Sequence, residues 1–273
     1  MLRKASELPA DEIVLDLEDA VAADQKSTAR RMVVEALASS SFAGRQVAVR
    51  INAVGTPWCH ADVIALAVVG RPGLTLVLPK VETVGDLAFA DRLLSGLEAE
   101  RSTKQPIGLQ ILVETAAGLA NCAVLAGASQ RLQSLIIGYG DLASSLGRGA
   151  GSSWAFVQET VLLAARANDL QAIDGPNFSL DPADGRLVRD AATTASLGFD
   201  GKWAIHPSQI EPINAAFTPS EAEALRARGI LSALDAAQRA GNGVATFEGT
   251  MIDEAMRLGA VRTVSRTGDA SWS

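Results

Sequence analysis

Cysteine is nearly absent from this chain of 273 residues: Cys59 and Cys122 are the whole complement, too few for a disulfide framework. Long runs of Lys and Arg are missing as well, and 24 basic against 31 acidic residues leave a net charge of −7. That balance speaks against nucleic acid or an anionic membrane surface as the main partner and makes a small molecule the expected one. No apolar stretch approaches the length needed to cross a bilayer, and the opening residues do not form a charged-then-apolar signal segment. A reducing cytoplasm is the expected setting. Histidine is scarce, with only His60 and His206, and a lone histidine is more often a hydrogen-bonded structural residue than a base. Neither is assigned the mechanism. Met and Trp are too scattered for a cofactor box.

What the chain does have is alternation. Short β-branched runs are separated by Ala- and Leu-rich stretches at helical spacing, the pattern of βα units and a parallel sheet. Seven strand-like segments end in polar residues: Ile13 to Leu17 in Glu18 and Asp19, Val47 to Val49 in Arg50 and Asn52, Thr75 to Leu78 in Lys80, Ile107 to Val113 in Glu114. The series continues with Leu135 to Ile137 before Tyr139 and Asp141, Gln171 to Ile173 before Asp174, and Lys202 to Ile205 before His206. In a parallel barrel the C-terminal mouths of the strands carry the chemistry, so charged strand exits read as site residues. Helices are expected at Ser27 to Ala38, Val84 to Glu100, Ala116 to Ala126, Trp154 to Asn168 and Arg186 to Ser196.

The expected fold is α/β, a TIM (β/α)8-type barrel lacking its first strand as numbered, over residues 1–215. A C-terminal extension over 216–273 follows, with a long helix at Ala222 to Ala240, an extended or hairpin segment at Val244 to Met251 and a helix starting near Glu254. Residues 1 to 12 read as helix and loop, where an eighth strand would belong. Either the barrel is open between its first and last strands, or the numbering begins inside the first βα unit. An open parallel edge exposes unpaired backbone groups, which favours the second.

Glu114 and Asp141 stand at the exits of neighbouring strands, and two such carboxylates can supply oxygen ligands to one Mg²⁺, leaving positions for water and substrate. Equally, Glu114 could cap the helix beginning near Thr115, and Asp141 a turn after Gly138. Glu18 and Asp19 are either acids near the metal's waters or a solvated loop pair. Arg50 lies between apolar neighbours, where its guanidinium fork suits a substrate carboxylate or carbonyl, or else a structural ion pair with Glu18 or Asp19.

Taken in order, Ile13 to Val21 (IVLDLEDAV), Val49 to Asn52 (VRIN), Leu78 to Glu82 (LPKVE), Val113 to Gly118 (VETAAG), Gly138 to Leu142 (GYGDL) and Ala204 to Ile210 (AIHPSQI) resemble the citrate lyase beta subunit-like group of the HpcH/HpaI aldolase superfamily. The order and spacing match along almost the whole chain. The resemblance implies a Mg²⁺-dependent barrel assembled as a homotrimer or hexamer, which cleaves or forms a carbon–carbon bond in a β-hydroxyacyl thioester carried on CoA or an acyl carrier protein. Malyl-CoA, citramalyl-CoA and a citryl thioester are the substrates it suggests.

By the same resemblance Glu114 and Asp141 are metal ligands and Glu18 and Asp19 the acids near them. Arg50 contacts the keto-acid or thioester oxygen, Lys80 and Lys4 fall among the substrate-binding positions, and the His206 loop borders the CoA channel. Phe247 to Asp253 (FEGTMID) resembles the family's C-terminal segment, which makes Asp253 a catalytic acid/base reaching a neighbouring subunit's site; from the residues alone it is a helix cap. One departure concerns the front: the family's opening strand and Arg-x-x-Lys-Ala segment are represented here by Lys4-Ala5, with the Arg position falling on Met1. The alternatives to a lyase are a malyl-CoA thioesterase, in which water is the final nucleophile, and a non-catalytic subunit of a lyase complex.

Overall fold

The computed structural model describes residues 2–39, 42–101, 105–149 and 151–267, so Met1 lies outside the described residues. Seven strands form one sheet in sequential order: β1 Glu12–Asp16, β2 Gln46–Arg50, β3 Leu74–Leu78, β4 Gly108–Val113, β5 Leu132–Ile137, β6 Gln171–Asp174 and β7 Gly201–Lys202. Every neighbouring pair is parallel. All seven expected strands are present, and among the described residues no eighth joins them, so β1 and β7 are the edges. The last strand is shorter than Lys202 to Ile205. It pairs only with β6, whose final rung is Asp174 with Lys202, and β6 gives way to Gly175-Pro176, where proline has no N–H for a ladder.

The sheet curls into a barrel-like trough. Val14, Ala48, Val77, Leu112, Ile136 and Ile173, one from each of β1 to β6, pack in a single cluster with Trp203, just past β7. One layer down, Glu12 on β1 accepts hydrogen bonds from Thr75 on β3 (3.1 Å) and Gln110 on β4 (2.9 and 3.0 Å). In a flat sheet β1 and β4 stand roughly 14 Å apart, and side chains rise from the sheet rather than along it, so curvature must bring these ends together. Alternate residues such as Ile13, Leu15, Val47, Val49, Leu76 and Leu78 are buried on the opposite face.

The chain between strands is mostly helical: α1 Leu2–Ala5, α2 Lys26–Ala38, α3 Cys59–Val69, α4 Val84–Arg101, α5 Ala116–Ala120, α6 Cys122–Ala126, α7 Tyr139–Leu146, α8 Ala155–Arg166, α9 Arg186–Leu197 and α10 Ile210–Phe217. Contacts run α2 to α3, α3 to α4, α4 to α6 and α6 to α8, as expected of an outer layer wound in one direction. The expected Ala116 to Ala126 helix is two helices, broken at Asn121, whose side-chain amide donates to the Glu82 carbonyl (2.8 Å). Two helices escaped the sequence reading. α3 has apolar residues all round and so no clear stripe, and α7 begins within what reads as a glycine turn.

The chain divides into two compact units, Met1–Ile213 and Asn214–Ser273, with the division inside α10. The second contains α11 Glu221–Arg239, the antiparallel hairpin β8 Val244–Phe247 and β9 Thr250–Asp253, and α12 Arg257–Ser265. Ser220 and Glu223 form a capping box that starts α11. Glu248 and Gly249 both have positive φ (49° and 76°), the conformation that a two-residue hairpin turn matched to strand twist requires. Ile230, Leu231, Leu234, Ile252, Ala260 and Val264 form this unit's own core.

The inner layer makes a direct prediction. Leu112→Ala removes a side chain that is 2% exposed and contacts residues from several strands, and should lower unfolding free energy by about 2–5 kcal/mol in urea titrations. Leu163→Ala, at a position 72% exposed on α8, should change it by less than about 0.5 kcal/mol. Equal effects would mean that the cluster is not the barrel's core.

Candidate active site

Arg50 closes β2, and strand register places it opposite Asp16, the last residue of β1. The guanidinium binds Asp16 through two nitrogens, Nε to Oδ1 at 2.9 Å and Nη2 to Oδ2 at 2.6 Å, the bidentate geometry that makes Arg–carboxylate pairs directional. Nη1 lies 3.3 Å from Glu18 Oε2. Asp16 also ties down the loop beyond its strand, accepting from the amides of Glu18 (2.8 Å) and Ala20 (3.4 Å). From behind, the buried Lys26 Nζ donates to the carbonyls of Leu17 (2.9 Å) and Glu18 (2.7 Å). Arg50 therefore pairs with Asp16 and Glu18, and not with Asp19.

Lys80 is the second cation. It follows β3 with φ of 54°, a region that non-glycine residues enter at a cost of order 1 kcal/mol or more. The bend lets one residue serve two carboxylates: its amide donates to Glu114 Oε1 at 2.8 Å, while its ammonium hydrogen-bonds Glu18 Oε1. The same Nζ stands 3.5 Å from Asp19 and 4.0 Å from Asp141. Asp16, Glu18, Asp19, Glu114 and Asp141 thus gather around two cations at the strand exits.

Glu114 is 2% exposed. It does not cap a helix, because Thr115 is the N-cap of α5 and its side chain accepts from the Gly118 amide. The room for Glu114 comes from Gly138, where a Cβ would fall 2.5 Å from Glu114 Cβ and 2.6 Å from Oε2. Asp141 lies in the first turn of α7, with its side chain 43% exposed. Burial, reinforced by the nearby charge of Asp141, pushes the Glu114 carboxyl up to about 8, against the opposing pull of the Lys80 amide. Burial also raises Glu18, outweighing Lys80 and Arg50. For Asp16 burial is outweighed by the Arg50 fork and two backbone amides, and its carboxyl is held below the usual range.

Of the other expected site residues, His206 is exposed and accepts from the Ser208 amide at 3.2 Å, capping the turn at Pro207–Gln209. Lys4 is exposed on α1. Neither joins the ion cluster. Asp253 ends β9 in the second unit and caps the turn at Glu254–Met256, accepting from the Ala255 amide at 3.0 Å. Asp16 was missed from sequence. The available signal was its spacing from Glu18, two residues away and so on the same strand face.

A divalent ion fits this donor set. Carboxylate oxygens are the ligands that Mg²⁺ selects, and it commonly takes only one or two from protein, with waters and substrate completing the shell. Among the described residues no group of three His, Cys, Asp or Glu is placed to hold an ion alone. The buried Glu114 carboxyl, pushed up by burial and by the charge of Asp141, is the observation that favours an ion here.

Known proteins share this architecture. The family model described as HpcH/HpaI aldolase/citrate lyase matches residues 1–207. An L-malyl-CoA/beta-methylmalyl-CoA lyase of Rhodobacter capsulatus is 34% identical over 274 residues, covering 93% of this chain and 86% of that protein. A (3S)-malyl-CoA thioesterase of Cereibacter sphaeroides is 35% identical over 268 residues, covering 97% and 89%. The crystal structure of CitE from Mycobacterium tuberculosis in complex with magnesium, acetoacetate and coenzyme A superposes with a TM-score of 0.72 at 32% identity, covering 95% of this chain and 91% of that one.

The electrostatics predict a pH dependence of stability. A carboxyl raised from about 4.3 to about 8 stabilises the fold in its neutral form. That contribution is complete below pH ~4.3 and is lost as pH rises through about 8, at up to about 1.4 kcal/mol per pH unit. Chelator-treated wild type should therefore lose stability relative to Glu114→Gln between pH 5 and 8 in urea titrations. Parallel curves for the two proteins would place the proton elsewhere.

Proposed function

Because this chain belongs to the HpcH/HpaI aldolase/citrate lyase family, we propose that it is a Mg²⁺-dependent carbon–carbon lyase that cleaves or forms a β-hydroxyacyl-CoA thioester. The observation that carries the reading is the buried Glu114 carboxylate beside Asp141 at the mouth of the barrel, with Arg50 and Lys80 in the same cluster. Glu114 and Asp141 would hold the ion, and when bound it supplies Lewis-acid stabilisation of charge growing on substrate oxygens. CoA as the carrier is supported by the relatives' names, malyl-CoA and β-methylmalyl-CoA among them.

The protein's own groups define the remaining steps. Arg50, immobilised by Asp16 and Glu18, presents a fixed positive charge to the acid portion of the substrate, so little reorganisation accompanies the reaction. A carboxylate takes the β-hydroxyl proton, the carbon–carbon bond breaks, and its electron pair passes to the α-carbon as a thioester enolate. Protonation of that carbon releases an acyl-CoA, and the other fragment leaves as a keto acid. Lys80 hydrogen-bonds Glu18 and places its ammonium 3.5 Å from Asp19 and 4.0 Å from Asp141, close enough to steer the latter. Asp253, with its carboxylate on the second unit, is the proposed acid/base, acting across the boundary of a homotrimer or hexamer. The His206 loop and Lys4 are the proposed borders of the CoA channel.

Incubation with Mg²⁺ and a set of β-hydroxyacyl-CoAs should yield keto acid with acyl-CoA. Free CoA with the intact hydroxy acid would instead make it a thioesterase, and no turnover would support a non-catalytic subunit. Glu114→Ala and Asp141→Ala should each weaken Mg²⁺ binding in calorimetry and remove Mg²⁺-dependent turnover while the chain stays folded. Unchanged affinity in either variant removes that residue from the ion.

Asp253→Asn tests the acid/base and the assembly together. It should retain Mg²⁺ and thioester binding and lose about 10²- to 10⁴-fold in turnover. Co-expression with Glu114→Ala should restore part of the activity if one subunit's Asp253 serves its neighbour's metal site. Mixed oligomers without activity would confine Asp253 to its own chain or to its capping role.

A further inference from the structure

Asp141 has little to hold it. Its side chain is 43% exposed, and the nearest cation, Lys80 Nζ, is 4.0 Å away. A flexible, half-exposed carboxylate makes a poor ligand or charge-steering group unless the backbone beneath it is fixed. Two residues before it, in the same first turn of α7, Tyr139 is held on all sides. Its hydroxyl donates to Asp174 Oδ1 at 2.5 Å and accepts from Gln158 Nε2 on α8 at 2.8 Å. Its ring packs against Trp154, with centroids 4.8 Å apart, and closely over Gly175, where a Cβ would fall 2.6 Å from Tyr139 Cδ2 and 2.3 Å from the Ile137 carbonyl.

The chain of contacts continues into the sheet. Asp174 is 1% exposed and its second oxygen pairs with the ammonium of Lys202, whose side chain is 2% exposed and also donates to the Gly175 carbonyl at 2.7 Å. Asp174 and Lys202 form the last rung between β6 and β7. At its far end α7 is fastened by Ser145, whose Oγ accepts from the Ala116 amide of α5 at 2.9 Å. A buried, fully partnered ion pair is a costly way to gain stability alone. Here it ends in a hydroxyl that grips one turn of one helix.

We propose that the Lys202–Asp174–Tyr139 chain positions Asp141, fixing the first turn of α7 so that this carboxylate is preset against Glu114. Tyr139, Asp174 and Lys202 are positioning residues: they touch neither substrate nor ion and act through the backbone that carries Asp141. The inference rests on the reading that Glu114 and Asp141 hold Mg²⁺, and its test separates the two.

Mg²⁺ affinity is measured by calorimetry on folded wild type, Tyr139→Phe, and Leu87→Ala. Leu87 is fully buried on α4, which packs against α3 and α6, and serves as a control for stability loss. Loss of an outer partner of this kind typically weakens metal binding about 10- to 100-fold, so Tyr139→Phe should lie in that range while Leu87→Ala stays within about twofold. If Tyr139→Phe fails to fold, Gln158→Leu, which removes one of the two hydroxyl partners, should weaken binding severalfold. Mg²⁺ binding within twofold of wild type in the Tyr139 variant, or in the Gln158 variant if that is the one that folds, overturns the inference and leaves the metal reading intact. Equal weakening in Leu87→Ala also overturns it, by reducing the effect to general stability. Wild type whose Mg²⁺ binding is unaffected by Glu114→Ala and Asp141→Ala overturns the metal reading and this inference with it.

Discussion

The carboxyl of Glu114, 2% exposed and hydrogen-bonded to a single backbone amide, sets the terms for the mouth of the barrel, because a buried charge must be paired or must keep its proton. Among the described residues no salt bridge reaches Glu114, and the side chain is closed off from water. Burial, reinforced by the charge of nearby Asp141, lifts the carboxyl to about 8. A small, hard cation is the partner proposed to balance it. Other features follow from that demand: glycine at position 138 to admit the side chain, left-handed backbone at Lys80 to aim an amide at it, and the two cations committed to other carboxylates.

Much of this was legible in the sequence because a parallel barrel concentrates its polar residues at strand exits. The seven strands, Glu114, Asp141, Arg50, Lys80 and the Glu18-Asp19 pair were all visible as charge following an apolar run. Asp16 was not. It sits inside a strand-like run, IVLDL, and its role depends on the register that sets it opposite Arg50, which no local pattern encodes. The open question of whether Glu114 caps a helix also needed geometry, since Thr115 next to it is an equally good cap and takes that role.

The helices divide along similar lines. α2, α8 and α9 carry a polar stripe and were anticipated to within a few residues, whereas α3 is apolar on every face and gives no periodic signal. α7 starts directly at Tyr139 after a glycine N-cap, so a segment that reads as a turn is the first turn of the helix bearing Asp141. For Asp253 the local structure satisfies the bland reading, a cap on the following turn. Its proposed chemistry belongs to assembly between subunits, beyond what one chain's contacts express.

The central claim is that Glu114 exchanges a proton for Mg²⁺. Titrating Mg²⁺ into the protein by calorimetry at pH 7, in buffers of different ionisation enthalpy, counts the protons released on binding. Displacement of a proton held with a pKa of about 8 predicts release close to one per ion at pH 7, falling toward zero above pH ~9, and abolished in Glu114→Gln. Tight Mg²⁺ binding at pH 7 with no proton released would contradict the account, because the buried carboxylate would then already be ionised without the cation said to complete it.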